Sequence, residues 1–249
     1  MSRDRTGTRQ RYANTCAATL VRNGGDRYDE NHNERILRET TISLQITQIT
    51  AGFGSSGKEN IVSSLIDKWT AEHRNFEKLL EIMERELGVF HRGERPNYDL
   101  MLDVVYYMIH YPDFAHHPAE DLVFARVAER SPAISALIGE LHRQHRCIAD
   151  AGKCLQQQLE AVVTGVMLPR IEVEQPALRY IEYLKHNMRS EEVHLFPLAR
   201  QVLNDEDWAW IDGRRPNAVD PLFGNCAEAR YRSLRARIAA EAGCDCVAA

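Results

Sequence analysis

The stretch Ile66–Leu87, IDKWTAEHRNFEKLLEIMEREL, carries Ile66, Trp69, His73, Phe76, Leu80, Met83 and Leu87 in alternating steps of three and four. That period keeps all seven on one face of an α-helix, whereas a strand needs alternation every second residue. It predicts an amphipathic helix with six apolar side chains and one imidazole on its buried face. A polar group in such a slot has been taken out of water and needs a partner there.

Three further stripes of the same period follow. The second runs Leu102, Val105, Ile109, Pro112, His116, Glu120, Val123, Val127. The third runs Ile134, Ile138, Leu141, His145, Ile148, Gly152, Leu155, Leu159, and the fourth Ile181, Leu184, Met188, Glu191, Leu195, Leu198, Val202. Gly93-Glu94-Arg95-Pro96 ends the first helix, and Ser131-Pro132 offers the third an N-cap and a first-turn proline. Pro169 together with Pro176 separates the third from the fourth. Four helices joined by short connections, with no period-2 strand, predict an all-α, up-down-up-down four-helix bundle over residues 61–203.

The flanks read differently. Residues 1–60 are Arg-rich, lack lysine before Lys58 and hold few large apolar side chains before Ile42–Ile49, so a disordered or spuriously translated tail is expected. Residues 204–249 open on Asn204 as a helix cap and continue through Trp208, Trp210 and an amphipathic stretch near Ala227–Ala240, predicting a helical extension packed outside the bundle.

Composition excludes several classes. A net charge of −5, from 31 basic against 36 acidic residues, argues against a chain whose main work is neutralising phosphates, so no nucleic-acid partner is expected. The apolar segment Leu100–Ile109 is short and contains Asp103, so no membrane span is expected. Six cysteines without a CxxC pair read as reduced thiols, and the location as cytoplasmic.

Each stripe carries titratable residues near its middle: His73, His116 with Glu120, His145 and Glu191. Antiparallel packing brings mid-helix positions to one depth, and two buried carboxylates each cost several kcal/mol unless compensated. A metal centre satisfies carboxylates and imidazoles together. His116 and Glu120 lie four residues apart, about 40° on one helical face, and so reach one ion or two adjacent ones. A many-ligand N/O donor set without sulfur favours iron or manganese over structural zinc.

The ordered pattern Glu72-His73, His116-His117-Pro118-Ala119-Glu120-Asp121, His145, and His186 with Glu191-Glu192 before Leu195-Phe196-Pro197 resembles the hemerythrin-like, or HHE cation-binding, family over about Ile61–Asp212. The resemblance implies a centre of two non-haem iron ions bridged by Glu120 and Glu191, with His73, His116 and His145 as terminal ligands. It adds His186 as a further imidazole.

The fourth helix departs from that pattern. The family's histidine four residues before the glutamate is Asn187 here, while His186 stands five before Glu191 and about 140° from it on a regular helix. Either a π-bulge or displaced helix brings His186 in, or the site lacks one imidazole or recruits His194. His142, three residues before His145, is a fifth imidazole or a solvent-facing neighbour. His117 and His110 lie about 100° from the stripe and read as groups outside the ligand set. Pro112 and Pro118 predict a kink in the second helix, or a loop between two shorter ones.

The function that follows is binding or sensing of a small diatomic ligand, O2 or NO, or iron handling. A di-iron oxidoreductase or iron-centre repair protein is the first alternative, rated lower because no substrate-orienting motif is present, and a metal-free helical interaction module is the second. Tyr106, Tyr107 and Tyr180 read as packing residues or as lining of a cavity.

Overall fold

In the computed structural model, residues 62–225 and 227–241 are described, so the expectations for residues 1–60 and for Cys16, Cys226, Cys244 and Cys246 fall outside the described residues. Among the described residues every regular element is helical. The first stripe forms α1 (Val62–His91), which stops where Gly93 adopts a φ of 82°, a conformation costly for any residue with a Cβ. Asn97 caps α2 (Tyr98–Tyr111) by accepting from the Leu100 amide.

At the second helix's prolines the chain neither kinks into a loop nor continues as a regular α-helix. Pro112–His116 forms a π-helical turn, closed by the His117 N–H on the Pro112 carbonyl, and α3 (His117–Arg130) carries on from it. Pro118 lacks the N–H that would pair with the Phe114 carbonyl, and its ring crowds that carbonyl, so the turn widens by one residue. The fourth helical rod repeats the device. After α5 (Ile171–Ser190) comes a π-helical turn, Glu191–Leu195, closed by the Phe196 N–H on the Glu191 carbonyl. Pro197 stands in the first turn of α6 (Phe196–Val202), as Pro118 does in α3.

Two local expectations change. Pro176 lies inside α5 rather than before it, since so near the N-terminus it removes one intrahelical donor without ending the helix. Ser131 makes no side-chain cap; Pro132–Ile134 forms a 3₁₀ turn that leads into α4 (Ser135–Val163). Asn204 does cap α7 (Asp205–Asp212), in a reciprocal capping box with Asp207.

Helix α4 is the central partner, packing most extensively on α5 and α2. Gly152 permits that approach: a Cβ there would stand 2.6 Å from Ile109 Cγ2 and 3.0 Å from the Tyr180 ring. Buried apolar residues fall into two clusters. One holds Phe76, Leu80, Val105, Ile148, Leu155, Leu184 and Met188; the other holds Trp69, Val123, Val127, Leu141, Leu195 and Leu198. After α7, Leu222, Tyr231 of the 3₁₀ turn Ala229–Tyr231, and Leu234 of α8 (Arg232–Glu241) join the first cluster. Cys147 has a free thiol, whereas Cys154 is disulfide-bonded, so the reduced state expected of every cysteine does not hold there. Spacing along a chain does not report which sulfurs meet in space.

Candidate metal centre

Between the two apolar clusters lies a polar layer. His73 stands between Trp69 and Phe76 on α1, and Glu120 of α3 precedes Val123. His145 stands between Leu141 and Ile148 on α4, and Glu191 between Met188 and Leu195 on the fourth rod. These four and His116 are all buried, Glu120 and Glu191 completely.

They converge. His73 Nε2 is 3.0 Å from His116 Nε2, 3.5 Å from Glu120 and 3.6 Å from Glu191. His116 Nε2 is 3.1 Å from Glu120, and His145 Nε2 is 3.1 Å from Glu191 and 3.7 Å from the other oxygen of Glu120. The ligand atoms of His73, His116 and Glu120 lie within 4.8 Å of one another, and so do those of His117, Glu120 and His145. Glu120 belongs to both groups, and Glu191 reaches a histidine of each.

A second set of carboxylates stands behind the imidazoles. His73 Nδ1 meets Glu192 at 2.9 Å, His116 Nδ1 meets Glu72 at 2.7 Å, and His145 Nδ1 meets Asp121 at 3.0 Å. A carboxylate can only accept, so in the neutral ring each Nδ1 carries the proton and each Nε2 turns a lone pair inward. The two Nε2 lone pairs of His73 and His116 then face each other at 3.0 Å. Both oxygens of Glu120 and Oε2 of Glu191 are buried without a hydrogen-bond partner. A cation satisfies all of these at once, and the nitrogen and oxygen donors without sulfur suit iron or manganese.

Residues 64–205 match the family model described as the hemerythrin HHE cation-binding domain. The chain belongs to that family. No curated relative and no solved structure matches it.

In this HHE domain the stripe residues His73, His116, Glu120, His145 and Glu191 lie together. His186 lies outside both groups, half-buried, on the regular helix α5. The π-helical turn that could have redirected it begins only at Glu191. Asn187 takes the inward slot: buried, it donates from Nδ2 to Glu191 at 2.8 Å and to Gln144 at 3.3 Å. His142 is half-buried with Nδ1 3.1 Å from Asp121, His194 is half-buried, and His110 is exposed. Tyr106 stacks on His110, and Tyr107 donates to Asp220.

His117, which the helical count puts outside the ligand set, is buried, stacks on His145 at 4.5 Å and meets Asp113 through Nδ1 at 3.0 Å. Glu72, Asp121 and Glu192 have no role in that count. A signal for these was present: each directly follows or precedes a ligand-type residue in sequence, and each serves a histidine on another element.

The imidazoles and carboxylates of the layer also shift one another's protonation. Burial depresses the His73 imidazole, but the carboxylates of Glu120, Glu192 and Glu191 reverse this and push it up to about 10. His145 follows the same balance, with burial opposed by Asp121, Glu191 and Glu120, and also reaches about 10. Burial raises the Glu120 carboxyl, but His116 and His73 more than offset it and hold it well below the usual range. Burial and the charge of His145 push His117 down.

Proposed function

We propose that this HHE domain holds two non-haem iron ions bridged by Glu120 and Glu191, and uses them to bind or sense a small diatomic ligand, O2 or NO, or to handle iron. The observation that carries this reading is the meeting of His73 Nε2 and His116 Nε2 at 3.0 Å beside Glu120, both of whose buried oxygens lack a hydrogen-bond partner. His73 and His116 would serve one ion and His145 the other, with the carboxylates shared. Bound iron would supply coordination positions not filled by protein, at which a diatomic ligand can bind reversibly. The apolar clusters on either side exclude water from the layer, and Glu192, Glu72 and Asp121 fix the ring orientations. His186, outside both groups, draws no support from its position.

The up-down-up-down bundle over residues 61–203, with residues 204–249 as an extension, belongs to the same proposal. Along α1 the chain passes from the cluster of Trp69 to that of Phe76; through α2 and α3 it returns; along α4 it passes from Leu141 to Ile148; through α5 and α6 it returns. Four crossings of one polar layer in alternating sense are what such a bundle requires. A metal-free module would need every buried polar atom in the layer hydrogen-bonded, whereas Glu120 has only ion-pair approaches of 3.1 Å to His116, 3.5 Å to His73 and 3.7 Å to His145.

Elemental analysis of anaerobically reconstituted protein, with absorption spectra before and after admission of O2 or NO, tests the reading. Iron that is lost in Glu120→Ala, with a band that responds to either gas, is expected. Iron binding without any response to O2 or NO leaves a cation site and removes the small-ligand function. Sustained turnover of peroxide or NO with an added reductant would instead favour the oxidoreductase.

A further inference from the structure

We propose that His117 is the fourth imidazole of the metal centre, standing beside His145 in the role that Asn187 leaves vacant on the fourth rod. The inference rests on the two-metal reading above and concerns which side chains complete the second position.

On α3, His117 is three residues before Glu120, about 60° to one side, while His116, the last residue of the π-helical turn and four before Glu120, is about 40° to the other. One helix therefore flanks its carboxylate with an imidazole on each side, His116 toward His73 and His117 toward His145. Pro118 and the π-helical turn deliver both rings buried rather than one buried and one exposed.

Three observations single His117 out from an ordinary buried histidine. Its ligand atom lies within 4.8 Å of those of Glu120 and His145. Its Nδ1 meets the Asp113 carboxylate at 3.0 Å, the same arrangement that turns Nε2 inward on His73, His116 and His145, so all four rings are oriented by an outer carboxylate. The opposing slot holds no imidazole: Asn187, four residues before Glu191, presents an amide that donates to that carboxylate. Without His117 the second position would have His145 as its sole imidazole within the two groups, against two at the first.

Metal content and chelator-competition affinity of full-length His117→Ala and His186→Ala test this, with helicity followed by circular dichroism. His117→Ala should lose one of its two ions, or bind it about tenfold or more weakly, while His186→Ala keeps both. Introducing Asn187→His into His117→Ala should restore the lost ion, because position 187 faces Glu191. Undiminished metal in His117→Ala, or loss of an ion from His186→Ala, overturns the inference and leaves the two-metal reading standing. Unmutated protein that takes up no metal overturns that reading itself, and this inference with it. X-ray absorption of His186→Ala tests the inference with His117 intact, even if His117→Ala does not fold. An average of about two imidazoles per ion supports His117 as ligand, and a clearly lower average overturns it.

Discussion

Asp121 shows how much of this candidate centre lies behind the inward-facing imidazoles. Its Oδ1 stands 3.0 Å from His145 Nδ1 and 3.1 Å from His142 Nδ1, so one half-exposed carboxylate serves two rings on α4 and fixes the inward face of the buried one. Asp121→Asn retains the shape but offers an amide that orients the ring less strongly and lowers its basicity as a ligand. The expected result is a metal affinity about 10–100-fold weaker, without loss of helicity. Chelator competition on both proteins measures this; equal affinities would mean that packing against Phe124 and His117 alone holds His145 in place. Glu72 is the counterpart at the other end of the layer, where it accepts from Tyr111 at 2.9 Å and lies 2.7 Å from His116 Nδ1. These carboxylates were present in the sequence beside His73 and Glu120, but a stripe argument ranks residues by burial direction on their own helix. Their partners lie across a helix interface that a periodicity cannot see.

At the level of elements, the stripes were legible because a buried face repeats at a fixed angle wherever the helix is regular. Every stripe residue of α1 is buried, and so are all eight positions from Ile134 to Leu159. The two π-helical turns were less legible: a proline in a helical pattern leaves a kink, a loop or a widened turn open, although Pro112, His116, Glu120 and Val123, and Met188, Glu191, Leu195 and Leu198, stay buried across them as the stripes require. Gly152, by contrast, is a small residue in a stripe of large ones, and its reason is the close passage of α4 against Ile109 and Tyr180. Gly152→Ala should destabilise the fold by about 1–3 kcal/mol, because the gain in helix propensity is outweighed by overpacking. Urea denaturation measures the difference; a neutral or stabilising result would show that Ile109 and the Tyr180 ring can yield together.

Across the whole molecule, the polar layer makes stability and cation binding respond to pH in opposite senses. His73 and His145 rise from 6.5 to about 10 in the cation-free fold, since Glu120, Glu191, Glu192 and Asp121 hold their protons. A raised histidine contributes stability that is fully present below the unfolded value of 6.5 and is lost as pH climbs through the folded value near 10. The cation-free protein should therefore lose this contribution steadily above about pH 6.5. A cation binds the same nitrogens only after those protons have left, so its affinity grows over the same interval and its binding releases protons. Since a ligand specific for the folded state stabilises it by RT ln(1 + [L]/Kd), the gap in melting temperature between loaded and cation-free protein should widen as pH rises from about 6 to 9. Anaerobic ferrous protein and its chelated counterpart, melted side by side at fixed free metal, measure that gap. A gap independent of pH would mean that the imidazoles are already neutral in the cation-free fold. The unpartnered Glu120 would then be a buried anion without a counter-charge, a cost of several kcal/mol that the surrounding apolar clusters would have to offset.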